Sequence, residues 1–328
     1  MSTPPFTITS AILDLLAQIA EQVGRLGLGD ATPAPPKLRR GNRIKSIHAS
    51  LAIENNTLSL EQVTALLEGK RVLGPPKEVL EVKNAFSAYD ALPSWSAHRI
   101  DDLLSAHALM MTGLVDRPGS FRSGAVGIAK GDAVVHLAPP ASMVNGLMRD
   151  LLQWLEKTDI HPLIASCVFH YELEFIHPFA DGNGRIGRLW QTLILSQWKP
   201  ALAYLPVEDV IRQNQQAYYD TLAACDKVAD SAQFIEFLLA ALLQALQETQ
   251  ETNTTDQVDD QVSDQVKSLL KVLKSGPLSA LDCMATLGLS HRPTFRKNYL
   301  HPALDAGHIE RTIPDKPNSR LQKYRLTH

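Results

Sequence analysis

One twelve-residue stretch constrains this chain more than any other: His177–Arg188, reading HPFADGNGRIGR. Pro178 disfavours the α conformation at His177, so the helix before it must end near Phe175 or Ile176. The imidazole is thereby left in a loop. Gly182 and Gly184 flank Asn183 and open conformations closed to other residues. A second helix is expected from about Arg185. A Gly-rich loop running into a helix N-terminus offers unpaired N–H groups to an anion. Arg185 and Arg188 are three apart, on one face, where two guanidinium groups repel unless an anion lies between them. Asp181 sets a carboxylate beside that anion, where Mg²⁺ bridging phosphates can bind. His177 is then a candidate general base. No Gly-Lys-Ser/Thr follows, so this is not a Walker A loop. A lone GxG would be a turn between core helices. His, Asp, Asn and two Arg at such spacing point instead to phosphoryl or nucleotidyl transfer.

The segments around the loop are mostly helical by apolar periodicity. Helices are expected over about 8–28, 43–53, 77–91, 99–112, 142–156, 162–175, 208–224 and 231–248. The prolines of Ala31–Pro36 mark a loop. Ser59 and Gln62 form a capping box for a helix over Leu60–Glu68, ended by Gly69. One stretch breaks the rhythm. Ala125–Ile128 and Ala133–Leu137 are β-type runs around Lys130-Gly131-Asp132, a hairpin that must lie on the helical body because two strands alone are marginal. Gln247–Thr255 is polar and reads as a linker. DQV then recurs every four residues up to Lys267, as a solvated connecting helix or disorder. The last 62 residues form helices at Val266–Lys274, Leu278–Leu287 and from Arg292 to about Leu300, with Pro302 ending or kinking the third. Two strands follow around a Pro/Asn/Ser turn. Three helices and a terminal hairpin are winged helix-turn-helix organisation.

Formal charge adds a distinction that the mean conceals. The 328 residues carry a net charge of −3. Residues 267–328 hold eleven Lys and Arg against four Asp and Glu, net +7, whereas residues 1–266 are net −10. The basic tail makes DNA a candidate partner, through Arg292, Arg296 and Lys297 on the third helix and Arg320, Lys323 and Arg325 in the wing. Cys167, Cys225 and Cys283 give neither a disulfide framework nor zinc spacing. The start lacks a secretory pattern and no run is long enough to span a bilayer. Together these favour a cytoplasmic protein without a membrane partner.

The loop resembles the signature of Fic domains, HxFx(D/E)GNGRxxR, at every specified position. Gly119-Ser-Phe121-Arg122 through His136-Leu-Ala-Pro-Pro140 is similar to the family's flap. Ser50-Leu-Ala-Ile-Glu54-Asn55 is similar to its inhibitory motif, (S/T)xxxE(G/N). Tyr218-Tyr219 resembles the aromatic pair near its adenine pocket. The resemblance spans about residues 40–240 and implies a mainly α Fic fold with a β-hairpin flap. A small C-terminal winged helix-turn-helix domain would follow, as in many bacterial members. The expected organisation is an N-terminal helical region over 1–98 with the inhibitory helix at about 43–55, a Fic core over 99–246, a linker over 247–265 and the winged unit over 266–328.

What the resemblance implies for chemistry is AMP transfer from ATP to a Ser, Thr or Tyr hydroxyl of a target protein. His177 would be the base and Asp181 the Mg²⁺ ligand. Gly182, Asn183 and Gly184 would cradle phosphate oxygens, Arg185 would meet the β-phosphate and Arg188 the γ-phosphate. Tyr218, Tyr219 and Asp226 would lie near the adenosine. Val135 and His136 would sit where the flap receives a target segment. Ser50, Glu54 and Asn55 would inhibit, Glu54 taking Arg188 from the nucleotide. Relatives often dimerise, so a homodimer is expected. AMP removal, alone or alongside transfer, and a DNA-binding regulator with a Fic sensor core are the alternatives.

Overall fold

The computed structural model describes residues 3–25, 36–125, 127–130, 133–260, 264–289, 291–305, 307–313, 319 and 321–327. The chain divides into two compact units, Met1–Gln250 and Glu251–His328.

The first unit is built around two helices, α7 (Pro162–Ile176) and α8 (Asn183–Trp198), joined by the signature loop. In the numbering used here these follow α1 (Ser10–Arg25), α2 (Pro36–Ile53), α3 (Leu60–Leu67), α4 (Pro76–Ala91), α5 (Ile100–Met111) and α6 (Ala141–Lys157). After them come α9 (Val207–Gln213), α10 (Gln215–Val228) and α11 (Ala232–Asp260). Helix α7 is apolar nearly all round, from Leu163 to Ile176. A helix of that composition belongs inside the bundle, and every residue from Leu163 to Tyr171 is buried. Pro162 starts α7, and His161 Nδ1 accepts from the Leu163 N–H at 3.2 Å. Its end falls at Ile176, as Pro178 requires. The expected capping box at Ser59 and Gln62 is present.

The expected hairpin is β1 (Gly127–Lys130) paired antiparallel with β2 (Ala133–Leu137). Ile128 pairs with His136 and Ala129 with Val134, so a β-bulge makes Val135 the extra residue. The residues of its turn, Gly131 and Asp132, lie outside the described residues, as does most of the proline loop at 31–36.

Several boundaries differ from expectation, beginning with α2, which starts at Pro36 rather than near Arg43. The 208–224 helix is two helices, because Asn214 leaves the α region (φ −114°, ψ 31°) and its Nδ2 donates to Val210 O at 2.9 Å. A short amide competing for a backbone carbonyl interrupts a helix in this way. The segment from Gln247, inside which the two units divide, is helical rather than irregular: α11 runs to Asp260. It contains neither Gly nor Pro, and Gln and Glu are good helix formers. Of the two outcomes expected at Pro302, in the second unit, the helix does not end there but is interrupted by a π-turn just before it and continues to Asp305.

That second unit has its own core of Val266, Leu269, Leu273, Cys283, Met284, Phe295, Leu300, Ala303, Ile309 and Tyr324. It comprises α12 (Asp264–Leu273), α13 (Ala280–Thr286), α14 (Arg292–Phe295) and α15 (His301–Asp305). A π-turn over Arg296–Leu300 links the last two. Wider i→i+5 bonding there accommodates the missing N–H and the ring of Pro302. The closing hairpin is β3 (Ile309–Arg311) paired with β4 (Tyr324–Leu326). No described helix is long and apolar enough to cross a membrane.

Candidate active site

The signature loop opens on a cavity of about 750 Å³. His177 closes α7 in the left-handed conformation (φ 50°, ψ 59°), with its N–H on Leu173 O at 2.9 Å. Gly182 begins α8 at φ 88°, and a Cβ there would come within 2.7 Å of Met111 Sδ. Both the positive φ and the close approach demand glycine. The first turn of α8 then faces the cavity at Asn183 and Gly184.

The loop is held rigid by its own polar side chains. Asn183 receives the Phe179 N–H on Oδ1 at 2.8 Å and donates from Nδ2 to Phe179 O at 2.9 Å. Its carboxamide is therefore a clamp, and what it offers a phosphate is its backbone. Phe179 is fully buried, stacked on His107 with ring centroids 3.8 Å apart and tilted against Phe121. His107 bonds Asp181 O through Nε2 (3.0 Å) and takes the Gly119 N–H on Nδ1 (2.8 Å). Burial lowers its pKa, in keeping with a neutral ring donating on one side and accepting on the other.

The two arginines have different surroundings. Arg185 is buried behind the loop, 3.0 Å from Asp181 Oδ1 and 3.6 Å from Glu81 Oε1. It does not line the cavity, so a direct β-phosphate contact requires those pairs to open. Arg188 is buried yet lines the cavity. Its Nε donates to Ser50 Oγ and its Nη2 to Ser50 O, both at 3.0 Å, and Nη2 also meets Glu54 Oε1 at 2.8 Å. Glu54 is the first residue past α2. Asn55 turns left-handed (φ 66°), a conformation Asn tolerates, and so ends the helix with Glu54 projecting into the cavity. A Cβ on Gly184 would fall 2.6 Å from Glu54 Oε1 and 3.0 Å from Arg188 Nη1. The Glu54–Arg188 pair, as placed, packs directly against the bare Cα of Gly184.

The far end of the cavity is lined by α10. Tyr218 is buried, with its hydroxyl 3.1 Å from His170 Nε2; His170 Nδ1 pairs with Gln191 Oε1 at 2.9 Å. Burial depresses His170 to about 3, so it stays neutral. Tyr219 is part-exposed, and Asp226 accepts from the Tyr171 hydroxyl at 2.8 Å. Gln215 Nε2 donates to Ile53 O at 3.0 Å, joining α10 to the last residue of α2.

Among the described residues no group of three or more His, Cys, Asp or Glu is placed to hold a metal. Asp181 Oδ1 takes the Gly182 N–H and Arg185, while the side chain is half exposed. Among the described residues Oδ2 takes no hydrogen bond, and such a carboxylate oxygen on the cavity wall fits Mg²⁺, which is commonly held by one or two carboxylates plus phosphate oxygens.

Residues 97–195 match the Fic/DOC family, and residues 264–327 match the C-terminal domain of Fic-like proteins (filamentation induced by cAMP). A crystal structure of a Fic family protein from Desulfovibrio desulfuricans G20 is 58% identical, with a TM-score of 0.76, over 99% of this chain and 98% of that one. The chain belongs to the Fic family. Its mainly helical architecture with a β-hairpin flap is the Fic fold. A Fic-1 structure from C. elegans (23% identity, 75% of this chain and 73% of that one, TM-score 0.62) shares that fold. The protein adenylyltransferase Fic of Nematostella vectensis is 30% identical over 205 residues, 58% of this chain and 45% of that protein. The Aedes aegypti protein of the same name is 28% identical over 223 residues, 64% and 42%. The chain thus matches less than half the length of these curated relatives.

The Fic fold brings Glu54, His177, Asp181, Gly182, Asn183, Gly184, Arg188, Tyr218, Tyr219 and Asp226 to one cavity. Ser50, on α2, accepts from the same Arg188, and Asn55 makes the turn that follows Glu54. Arg292, Arg296, Lys297 and Lys323 belong to the second unit. The side chains of Val135 and His136, and Arg320 altogether, lie outside the described residues. Sequence reading missed Glu174 and Gln215, which line the cavity, and His107, which braces the loop. Glu174 sits one helical turn before His177, a spacing that signals a shared face. His107 gave no signal, since its partners are backbone groups.

Proposed function

We propose that this Fic protein is a protein adenylyltransferase held inactive by Glu54. The observation that carries the reading is the convergence of His177, the α8 N-terminus and a Glu54-bound Arg188 on one cavity. ATP fits with its phosphates along the first turn of α8, where N–H groups and the helix dipole favour negative charge. Its adenosine then lies toward Tyr218, Tyr219 and Asp226. His177 takes the proton of a target hydroxyl, the oxygen attacks the α-phosphorus, and the bond to pyrophosphate breaks. Asp181 Oδ2 would hold Mg²⁺, which supplies charge neutralisation on the phosphates. An edge strand of the β1–β2 hairpin offers the target an extended docking site by β-addition.

The γ-phosphate needs the guanidinium that Glu54 and Ser50 now occupy. Bidentate-capable, charge-assisted pairs of this kind are among the stronger polar contacts. With Arg188 so held, the triphosphate is not drawn into line for attack. The test uses the Glu54→Gly variant with ATP labelled at either the α- or the γ-phosphate. Label entering protein from the α position alone identifies adenylyl transfer. Entry from the γ position identifies phosphoryl transfer and refutes the reading.

DNA contact by the second unit is a further part of the reading. Arg292, Arg296 and Lys297 are exposed on one helical stretch, and residues 291–304 contain no Asp or Glu. Such a face suits a phosphate backbone.

A further inference from the structure

Arg122 is buried, yet among the described residues it faces no carboxylate. All of its side-chain donors go to main-chain carbonyls. Nε donates to His177 O at 2.7 Å and Nη1 to Gly124 O at 2.8 Å. Nη2 donates to Pro139 O at 2.5 Å and Ile176 O at 3.3 Å. Its own backbone N–H donates to Pro178 O at 2.9 Å.

These acceptors fall into two groups. Gly124 and Pro139 flank the hairpin on either side, so one guanidinium holds both feet of the flap. Ile176, His177 and Pro178 are the end of α7 and the start of the signature loop. A helix C-terminus carries partial negative charge that a cation complements. His177 adopts a left-handed backbone, which costs a non-glycine residue energy and persists only where neighbours enforce it. The planar fork of Arg suits several carbonyls at fixed angles; the point charge of Lys does not.

We infer that Arg122 is a positioning residue that locks the flap to His177, so that a segment docked on the flap presents its hydroxyl to the imidazole. The inference rests on the adenylyltransferase reading for its catalytic consequence, but the mechanical coupling stands on the carbonyl contacts alone. A misplacement of about 1 Å in a reacting pair can cost roughly 100-fold in rate. Binding of ATP, which relies on α8 and α10, does not need Arg122.

The experiment compares Arg122→Lys and Arg122→Ala in the Glu54→Gly protein, full length. Hydrogen exchange should rise together in peptides covering 124–139 and 176–183, by roughly 10-fold or more, while the interiors of α6 and α8 stay protected. The kcat for incorporation of AMP into the enzyme itself should fall roughly 10- to 100-fold. The dissociation constant for an α,β-methylene ATP analogue should change by less than about 3-fold, a split that general unfolding would not produce. Millimolar guanidinium should restore part of the Arg122→Ala rate, and ammonium should not. Exchange that rises in the hairpin alone, or in neither segment, overturns the coupling. An unchanged kcat in an active parent overturns the catalytic role. If the Glu54→Gly parent transfers no AMP, the adenylyltransferase reading fails instead, and the exchange result still decides whether Arg122 couples flap and loop. Arg122→Lys keeps the test valid if Arg122→Ala does not fold.

Discussion

Asn183 and Glu172 show how much single side chains decide in this protein. Asn183 both accepts from and donates to the main chain of Phe179. An aspartate can only accept, so Asn183→Asp leaves the Phe179 carbonyl buried without a donor. The expected loss is about 1–3 kcal/mol, measurable by chemical denaturation. Glu172 lies on α7, and burial together with the nearby Asp226 carboxylate pushes its carboxyl up to about 7 from an ordinary 4.5. The native state therefore keeps a proton that the unfolded chain releases. This group's contribution falls as pH rises from about 4.5 to about 7, by about 3 kcal/mol in all. Glu172→Gln should match the parent at pH 4 and exceed it at pH 8. Equal stabilities at both pH values would contradict the assignment. At this scale the signature was readable, because its chemistry is written in the side chains. The burial of Arg185 was not, since Glu81 lies more than a hundred residues away and no local pattern announces it.

At the scale of elements, the inhibition proposed above rests on a contact between the end of α2 and α8, with α10 as its third member. Gln215 on α10 donates to Ile53 O, one residue before Glu54. One such bond is worth about 1 kcal/mol, a factor of roughly 5 in an equilibrium. Gln215→Ala should therefore raise basal AMP incorporation roughly 2- to 5-fold, read with labelled ATP. No increase would mean that the end of α2 is held by Ser50 and Glu54 alone. Most elements were legible because apolar spacing, the Ser59 cap and Pro178 act locally. The departures from regular periodicity have equally local causes. Asn214 interrupts a periodic stretch through its own side chain. The polar stretch after Gln247 contains no Gly or Pro, so the helix runs on to Asp260. Pro302 is absorbed by the π-turn over Arg296–Leu300.

For the whole molecule, the net charge of −3 conceals an acidic body and a basic tail. If the tail binds duplex DNA of random sequence, affinity should drop with salt, with a log–log slope near −0.9 for each phosphate neutralised. Reversing Arg296 and Lys297 to Glu should abolish the shift at low salt. An unaltered shift would place the contact elsewhere.

The central claim joins the two halves of the account, a competent adenylyl-transfer site and a glutamate that holds Arg188 away from ATP. The most direct measurement is the rate of AMP incorporation, by intact-protein mass spectrometry, in wild type, Glu54→Gly and Glu54→Gly/His177→Ala. Glu54→Gly should exceed wild type by roughly 10-fold or more, the scale of a lost charge-assisted pair. The double variant should show none. Equal rates for wild type and Glu54→Gly, or transfer that survives loss of His177, would contradict the account.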